Sequence, residues 1–416
     1  MSHSLQEFVR ITKPNEGTVM SAGSEKNPYR PGAATPPLFL AGRQPQLIRF
    51  PKILRGAPEI PANLRITGLR GVGKSVLLKE FERLARDGNW AVMRHQLEPR
   101  HNTDESLSQL VASSVDAAKD KMSRARRVKA HIAHAVDVGR RPLTVSIEDV
   151  TFSLAGDPQV ELDLVTNLYG AVETALDTGH EGFALLLDEA QVIRDDTTRG
   201  GEHPMSMLVA AVNALQEAGL PLALVMCGLP TLRANLQRAR TYSERMFRGE
   251  HIGELDGNPG PARDAFVEPL KDTGVAADED LISRVLDEVE GYPFFIQLWG
   301  AELWEAAQDA ALDVLSVQLL DAIEPDIYRR LDDEFYAGRV ETLTPSEQDL
   351  LLATAACSYP PLKSADIRRR IAKSEGNINV LMGRLTEQGV LYRVQKGQYA
   401  YTAPKFHEYL IRRTGP

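Results

Sequence analysis

The stretch "ITGLRGVGKSVLL", residues Ile66–Leu78, decides the fold. It packs Gly68, Gly71 and Gly73 into one short loop. Each glycine gives up more backbone freedom on folding than any other residue, so the loop must need bare backbone. Just before it, "NLRITG" alternates apolar and polar residues, as a short strand does. Just after it, Leu77, Leu78, Phe81, Leu84 and Ala85 recur at helical spacing. A strand, a glycine loop and a helix in that order, with Gly68, Gly73, Lys74 and Ser75 in the fixed places, match G-x-x-x-x-G-K-[ST]. Such a loop wraps a phosphate with peptide N–H groups, and the helix N-terminus adds a field that favours anions. The expected cradle runs through Gly68, Gly71, Val72, Gly73, Lys74, Ser75 and Val76. Lys74 would meet the β- and γ-phosphates of ATP, and Ser75 would ligate Mg²⁺.

A second stretch completes the chemistry. In "ALLLDEA", Ala184–Ala190, an apolar run lifts Asp188 and Glu189 to the carboxyl end of a buried strand. Ligands gather at such ends in open α/β sheets. Asp188 suits the Mg²⁺ shell, and Glu189 suits the general base that takes a proton from the attacking water. Both catalytic roles, for Lys74 and Glu189, make the chain an expected ATPase.

The remainder of the chain fits around these two motifs. With 416 residues, 43% hydrophobic and 25% charged, it reads as a globular protein of more than one domain. Cys227 and Cys357 are far apart, show no metal-ligand spacing and sit in apolar surroundings, which reads as buried thiols. "MSHSLQEFVRITK" lacks an apolar signal core, and no apolar run spans a membrane, so a soluble cytoplasmic protein without membrane partners is expected. Residues 1–37 read as an irregular arm. Strands alternate with helices from 38 to 255, which predicts a parallel sheet covered on both faces in three layers. A basic insertion at about 119–158 interrupts that rhythm. Helical patterns dominate 256–341. Residues 342–416 read as three helices and a short hairpin.

The net charge of −9 is uneven. Residues 251–341 carry 22 acidic and 6 basic groups, or −16, whereas 342–416 carry 6 and 11, or +5. Residues 119–141 carry 2 and 8, or +6. Blocks of one sign point to partners.

Together the motifs resemble the AAA+/STAND branch of P-loop ATPases, and within it the origin-recognition-type AAA ATPases. "LAGRQPQL" resembles the family's Gly-Arg motif, which implies that Gly42 and Arg43 lie near the adenine. "TYSERMF" is similar to the segment whose arginine reaches a neighbouring subunit's γ-phosphate, which implies that role for Arg245 and a homo-oligomer. "GYPFFIQLWG" resembles the lid motif of the STAND group and places Pro293 at the nucleotide. The terminal segment resembles a winged helix. The resemblance thus implies an ASCE/AAA+ type sheet, an α-helical lid over 256–341 and a winged helix over 342–416. The nucleotide site would lie wholly before residue 342. Strand "LALVMCG" ends without the Asn, Ser or Thr that senses the γ-phosphate in the family, Thr231 being the nearest hydroxyl, and the lid lacks a sensor arginine. Both departures imply turnover that is slow or stimulated by a partner.

Two functions follow as expectations. One is an ATP-driven switch on DNA, with the helix Asn377–Gln388 reading bases through Asn377, Asn379 and Arg384. The wing would supply Arg393 and Lys396, and Arg368, Arg369 and Arg370 would meet phosphates. The other is a STAND-like signalling ATPase whose winged helix docks a protein.

Overall fold

The structure is a computed structural model that describes residues 26–113, 115, 158–196, 201–239, 243–257 and 259–415. The basic insertion lies outside the described residues except for its last position, as does most of the N-terminal arm. The chain divides into two units, one of residues Gln44–Gly68 and Lys74–Ile252, the other of residues up to Arg43, Leu69–Gly73 and Gly253 onward.

The first unit holds a five-stranded sheet. Its strands are β1 (Ala62–Thr67), β2 (Ala91–Gln96), β3 (Phe183–Asp188), β4 (Leu222–Gly228) and β5 (Arg248–His251), in the order β2-β3-β4-β1-β5. All neighbours are parallel. Every residue of β3 and β4 is buried, which is what continuous apolar runs predict for strands covered on both faces. Phe183, Leu185 and Leu187 enter an apolar cluster with Leu164, Leu168, Leu208 and Leu215 from the helices Pro158–Asp177 and Pro204–Glu217. The alternate residues Ala184 and Leu186 are fully buried too. The helix Gln44–Leu54 is fixed to the helix Lys74–Asp87 by Phe50 stacked on Phe81, with centroids 4.2 Å apart. The order places β4 between the strand of the glycine loop and the strand of the paired carboxylates.

The second unit is helical apart from small sheets. Helices Pro261–Val267, Glu279–Val289, Pro293–Asp309 and Val317–Leu331 surround the buried Trp299 and Trp304. The helical reading of 256–341 misses one feature, the two-residue strands β6 (Ala276–Ala277) and β7 (Val314–Leu315), which pair in parallel. A π-helical turn, Asp332–Ala337, follows. Next comes an N-terminal capping box, in which the Glu347 carboxylate accepts from Thr344 N and opens the helix Pro345–Ala353.

The C-terminal region then has helices Ser364–Arg368 and Glu375–Glu387, and strands β8 (Leu362–Lys363), β9 (Leu391–Gln395) and β10 (Gln398–Tyr401) in the antiparallel order β8-β10-β9. This is a winged-helix-like arrangement. It carries two elements beyond the sequence reading: β8 and a closing helix, Phe406–Thr414. Leu362–Lys363 is too short to show a period of two, and it becomes a strand only through its pairing with β10.

The described part of the arm, residues 26–37, forms no helix or strand, yet it is anchored. Tyr29 is 2% exposed and its hydroxyl donates to the Phe266 carbonyl at 2.5 Å. Gln297 Oε1 accepts from Arg30 N, and Asn27 Nδ2 donates to the Ala301 carbonyl. Replacing Tyr29 by Phe removes this buried hydrogen bond and is expected to destabilise the fold by about 0.5–1.5 kcal/mol. Tyr29→Ala is expected to lose more, about 3–5 kcal/mol, because it also opens a cavity. Chemical denaturation of both variants checks the order.

Candidate nucleotide site

In the loop Leu69–Gly73, three consecutive residues are tied from outside. Arg70 N donates to the Thr402 carbonyl at 2.9 Å. The Gly71 carbonyl accepts from Phe294 N at 3.1 Å. The Val72 carbonyl accepts from Arg43 Nη2 at 2.9 Å. A trans peptide is planar, with its N–H opposed to its C=O. Tying back the carbonyls of Gly71 and Val72 therefore aims the N–H groups of Val72 and Gly73 the other way, as a phosphate cradle requires. Gly71 and Gly73 have φ of +80° and +88°, the left-handed region that glycine enters without strain.

The sequence-predicted residues of this unit fall around the loop with clear duties. Arg43 is 6% exposed and also donates to the Gly253 carbonyl at 2.6 Å. Burial pulls its guanidinium below the ordinary arginine value, and Glu254 pulls it back. Gly42 precedes it with φ +67°, and a Cβ there would lie 2.7 Å from Leu255. Pro293 occupies the first position of its helix, and the next amide, that of Phe294, makes the bond to Gly71. Sequence reasoning singled out the proline and missed Phe294, whose only signal is its place in the first turn. It also missed Thr402, whose carbonyl accepts from Arg70 N.

In the other unit, Lys74 opens the helix Lys74–Asp87 and is 7% exposed, Ser75 is half-buried, and Val76 is 9% exposed. Gly68, past the end of β1, donates its N–H to the Gly228 carbonyl at 3.2 Å. Asp188 ends β3, 3% exposed, and accepts from Glu189 N at 2.9 Å. On the adjacent β4, the fully buried Cys227 follows Met226, the partner of Leu187, and so stands beside Asp188. Burial pushes that thiol well above its ordinary value; Asp188 and Glu189 reinforce the shift and Lys74 opposes it. The cation and both carboxylates each lie within electrostatic reach of that thiol. Glu189 itself has φ +52°, a left-handed conformation uncommon outside glycine. Gln191 Nε2 donates to Glu189 Oε2 at 2.5 Å.

Arg245 stands apart. It is exposed on the four-residue helix Ser243–Met246, just before the edge strand β5. Thr231 opens a helix beyond β4 and is half-buried. Among the described residues no three His, Cys, Asp or Glu side chains form a metal cluster.

Both of Arg43's bonds leave from Nη2, one bond further along the side chain than a lysine nitrogen, so lysine is a poor replacement. Arg43→Lys and Arg43→Ala are each expected to speed amide hydrogen exchange across 69–74. Arg43→Ala should also cost about 1.5–3 kcal/mol of stability, the usual range for charged hydrogen bonds. Exchange measured by mass spectrometry on parent and variants checks this.

Comparison with known proteins agrees with this geometry. Residues 40–225 match the family model of the AAA ATPase domain. Residues 333–410 match a domain of unknown function (DUF8462). No curated protein matches the sequence. A solved Walker-type ATPase of Pyrococcus abyssi is similar in fold, with TM-score 0.52, 16% identity, and 89% of this chain and 96% of that one covered. The Aeropyrum pernix ORC2 protein, solved in ADPNP–ADP complexes, gives TM-score 0.51 and 14% identity over 90% and 94% of the two chains. Residues 40–225, with their glycine loop and paired carboxylates, are an AAA+-type P-loop ATPase domain.

Proposed function

We propose that the protein is an ATP-binding and ATP-hydrolysing molecular switch that acts on DNA through its C-terminal segment. The observation that carries the nucleotide half is that Lys74, opening the helix after β1, and Asp188 with Glu189, closing β3, follow two parallel strands on either side of β4. Lys74 neutralises phosphate charge, and Glu189 accepts a proton from the attacking water. Mg²⁺ fits the donors present. It takes few protein ligands and completes its shell with phosphates and water, and the Ser75 hydroxyl and the Asp188 carboxylate are such a pair. When bound, the ion neutralises charge between the β- and γ-phosphates. ATP and Mg²⁺ are the cofactors of this reading, ADP its product. This reading also assigns nucleotide binding to Gly42, Arg43 and Pro293.

In this reading, residues 38–255 form the ATPase domain, 256–341 the lid and 342–416 the winged helix, after an arm of residues 1–37. Arg245, exposed beside the edge strand, acts in trans on the nucleotide of a second copy in a homo-oligomer. The setting is cytoplasmic; no helix among the described residues is long and apolar enough to cross a membrane. Lys74→Ala is expected to abolish tight nucleotide binding. Glu189→Gln is expected to keep nucleotide bound while turnover falls about 100-fold or more. Fluorescent-nucleotide binding together with phosphate release checks both variants.

For DNA, Asn377, Asn379 and Arg384 are exposed on the helix Glu375–Glu387, and Arg393 and Lys396 are exposed on the wing. A specific observation favours the signalling reading as well: Val380 and Val394, on those same elements, are 54% and 53% exposed, and Arg368 is paired with Glu375 at 2.6 Å. Exposed apolar side chains and a neutralised arginine suit a protein partner. Salt separates the two. If DNA is the partner, Arg393→Glu with Lys396→Glu is expected to weaken binding for all sequences alike and lower the salt slope by about one per lost contact. Absence of DNA binding at low salt, in parent and variant alike, gives the surface to a protein.

A further inference from the structure

Gln191 follows the paired carboxylates by two residues, and no metal, phosphate or base role claims it. Its amide spans two strands. Nε2 donates to the Glu189 carboxylate at 2.5 Å, and Oε1 accepts from Leu229 N, just past the end of β4, at 2.9 Å. Its backbone carbonyl accepts from Asn235 Nδ2 at 3.0 Å, so the residue is fixed at both ends. Next to Leu229 stands Gly228. A Cβ on Gly228 would collide with Gln191 Oε1 and lie 3.1 Å from Gln191 N. The end of β4 therefore has no room for a side chain there, because Gln191 fills that space.

We infer that Gln191 is the positioning residue of the hydrolytic base. It orients the Glu189 carboxylate and takes the polar post at the end of β4 that Gly228 leaves without a side chain. A carboxylate on a flexible stem has several rotamers. One oxygen pinned by the amide leaves the other in a set direction for water. The same amide joins Glu189 to the backbone of β4, so the base and that strand end are aligned as one piece. This inference rests on the ATP-hydrolysis reading above.

Gln191→Glu is the most selective test. It keeps the shape and the acceptor for Leu229 N but removes the donor to Glu189 and sets two carboxylates against each other. Turnover is expected to fall about 10- to 100-fold, since small misplacements of reacting groups cost that much. The affinity for a fluorescent ADP analogue should stay within about two-fold of the parent, because the amide touches no binding residue. In a Glu189→Gln background the same substitution should cost nothing further. A second arm needs no turnover: Gly228→Ala should lower the melting temperature of the parent, and Gln191→Ala should relieve part of that loss. Parental kcat in Gln191→Glu, or a rise in kcat, overturns the inference while leaving the ATPase reading intact. So does a loss of kcat matched by an equal loss of ADP affinity, or no coupling between Gly228 and Gln191. A parent chain without any Lys74-dependent turnover fails at the earlier step and takes both down.

Discussion

The direction of two peptide planes governs what this protein can bind. Glycine at 71 and 73 permits many loop conformations, and permission alone does not build a cradle. The bonds from Phe294 N and Arg43 Nη2 select one of them by claiming the carbonyls of Gly71 and Val72. Thr402 holds the preceding residue. Phe294 is itself held: its ring stacks on Phe335 with centroids 4.9 Å apart, and the Arg339 guanidinium lies over the other ring at 4.4 Å. Phe335 belongs to the π-helical turn, a device that often marks a functional position. The loop's geometry is thus built from residues more than three hundred positions apart in the chain, Arg43 and Thr402.

On the sheet the controlling feature is strand order. With β4 inserted between β1 and β3, Cys227 stands beside Asp188, and the amide of Gln191 meets the end of β4. Asp188 is held by its own neighbour's N–H. That carboxylate is therefore oriented before any ligand arrives, and pre-set dipoles need no rearrangement when charge develops.

Much of this was legible in the sequence, for local reasons. The glycine loop, the apolar run of β3 and the acid pair are contiguous signals, and each strand and helix around them has its period. The winged-helix-like region was legible as helices and a hairpin, since the Glu375–Glu387 helix and the β9–β10 turn are local too. What escaped depends on long-range pairing. Thr402 carries no sign that its carbonyl serves Arg70. Gln191 looks like any residue after an acid pair until β3 is placed beside β4. Arg43 was legible through resemblance, but its grip on two carbonyls follows only from the backbone that surrounds it.

The second unit draws its residues from both ends of the chain and from a five-residue loop in between. That has a consequence for synthesis. A ribosome adds roughly 5–20 residues per second, so roughly 20–70 s separate the emergence of Arg43 from that of Thr402. Contacts of such high sequence separation also close slowly, because a long loop must be ordered before they repay it. The sheet unit ends at Ile252 and can take shape while translation continues. The nascent chain therefore carries the lysine and both carboxylates long before Thr402 emerges to brace Arg70. The braced loop is a property of the finished polypeptide, and truncated products inherit the sheet chemistry without it.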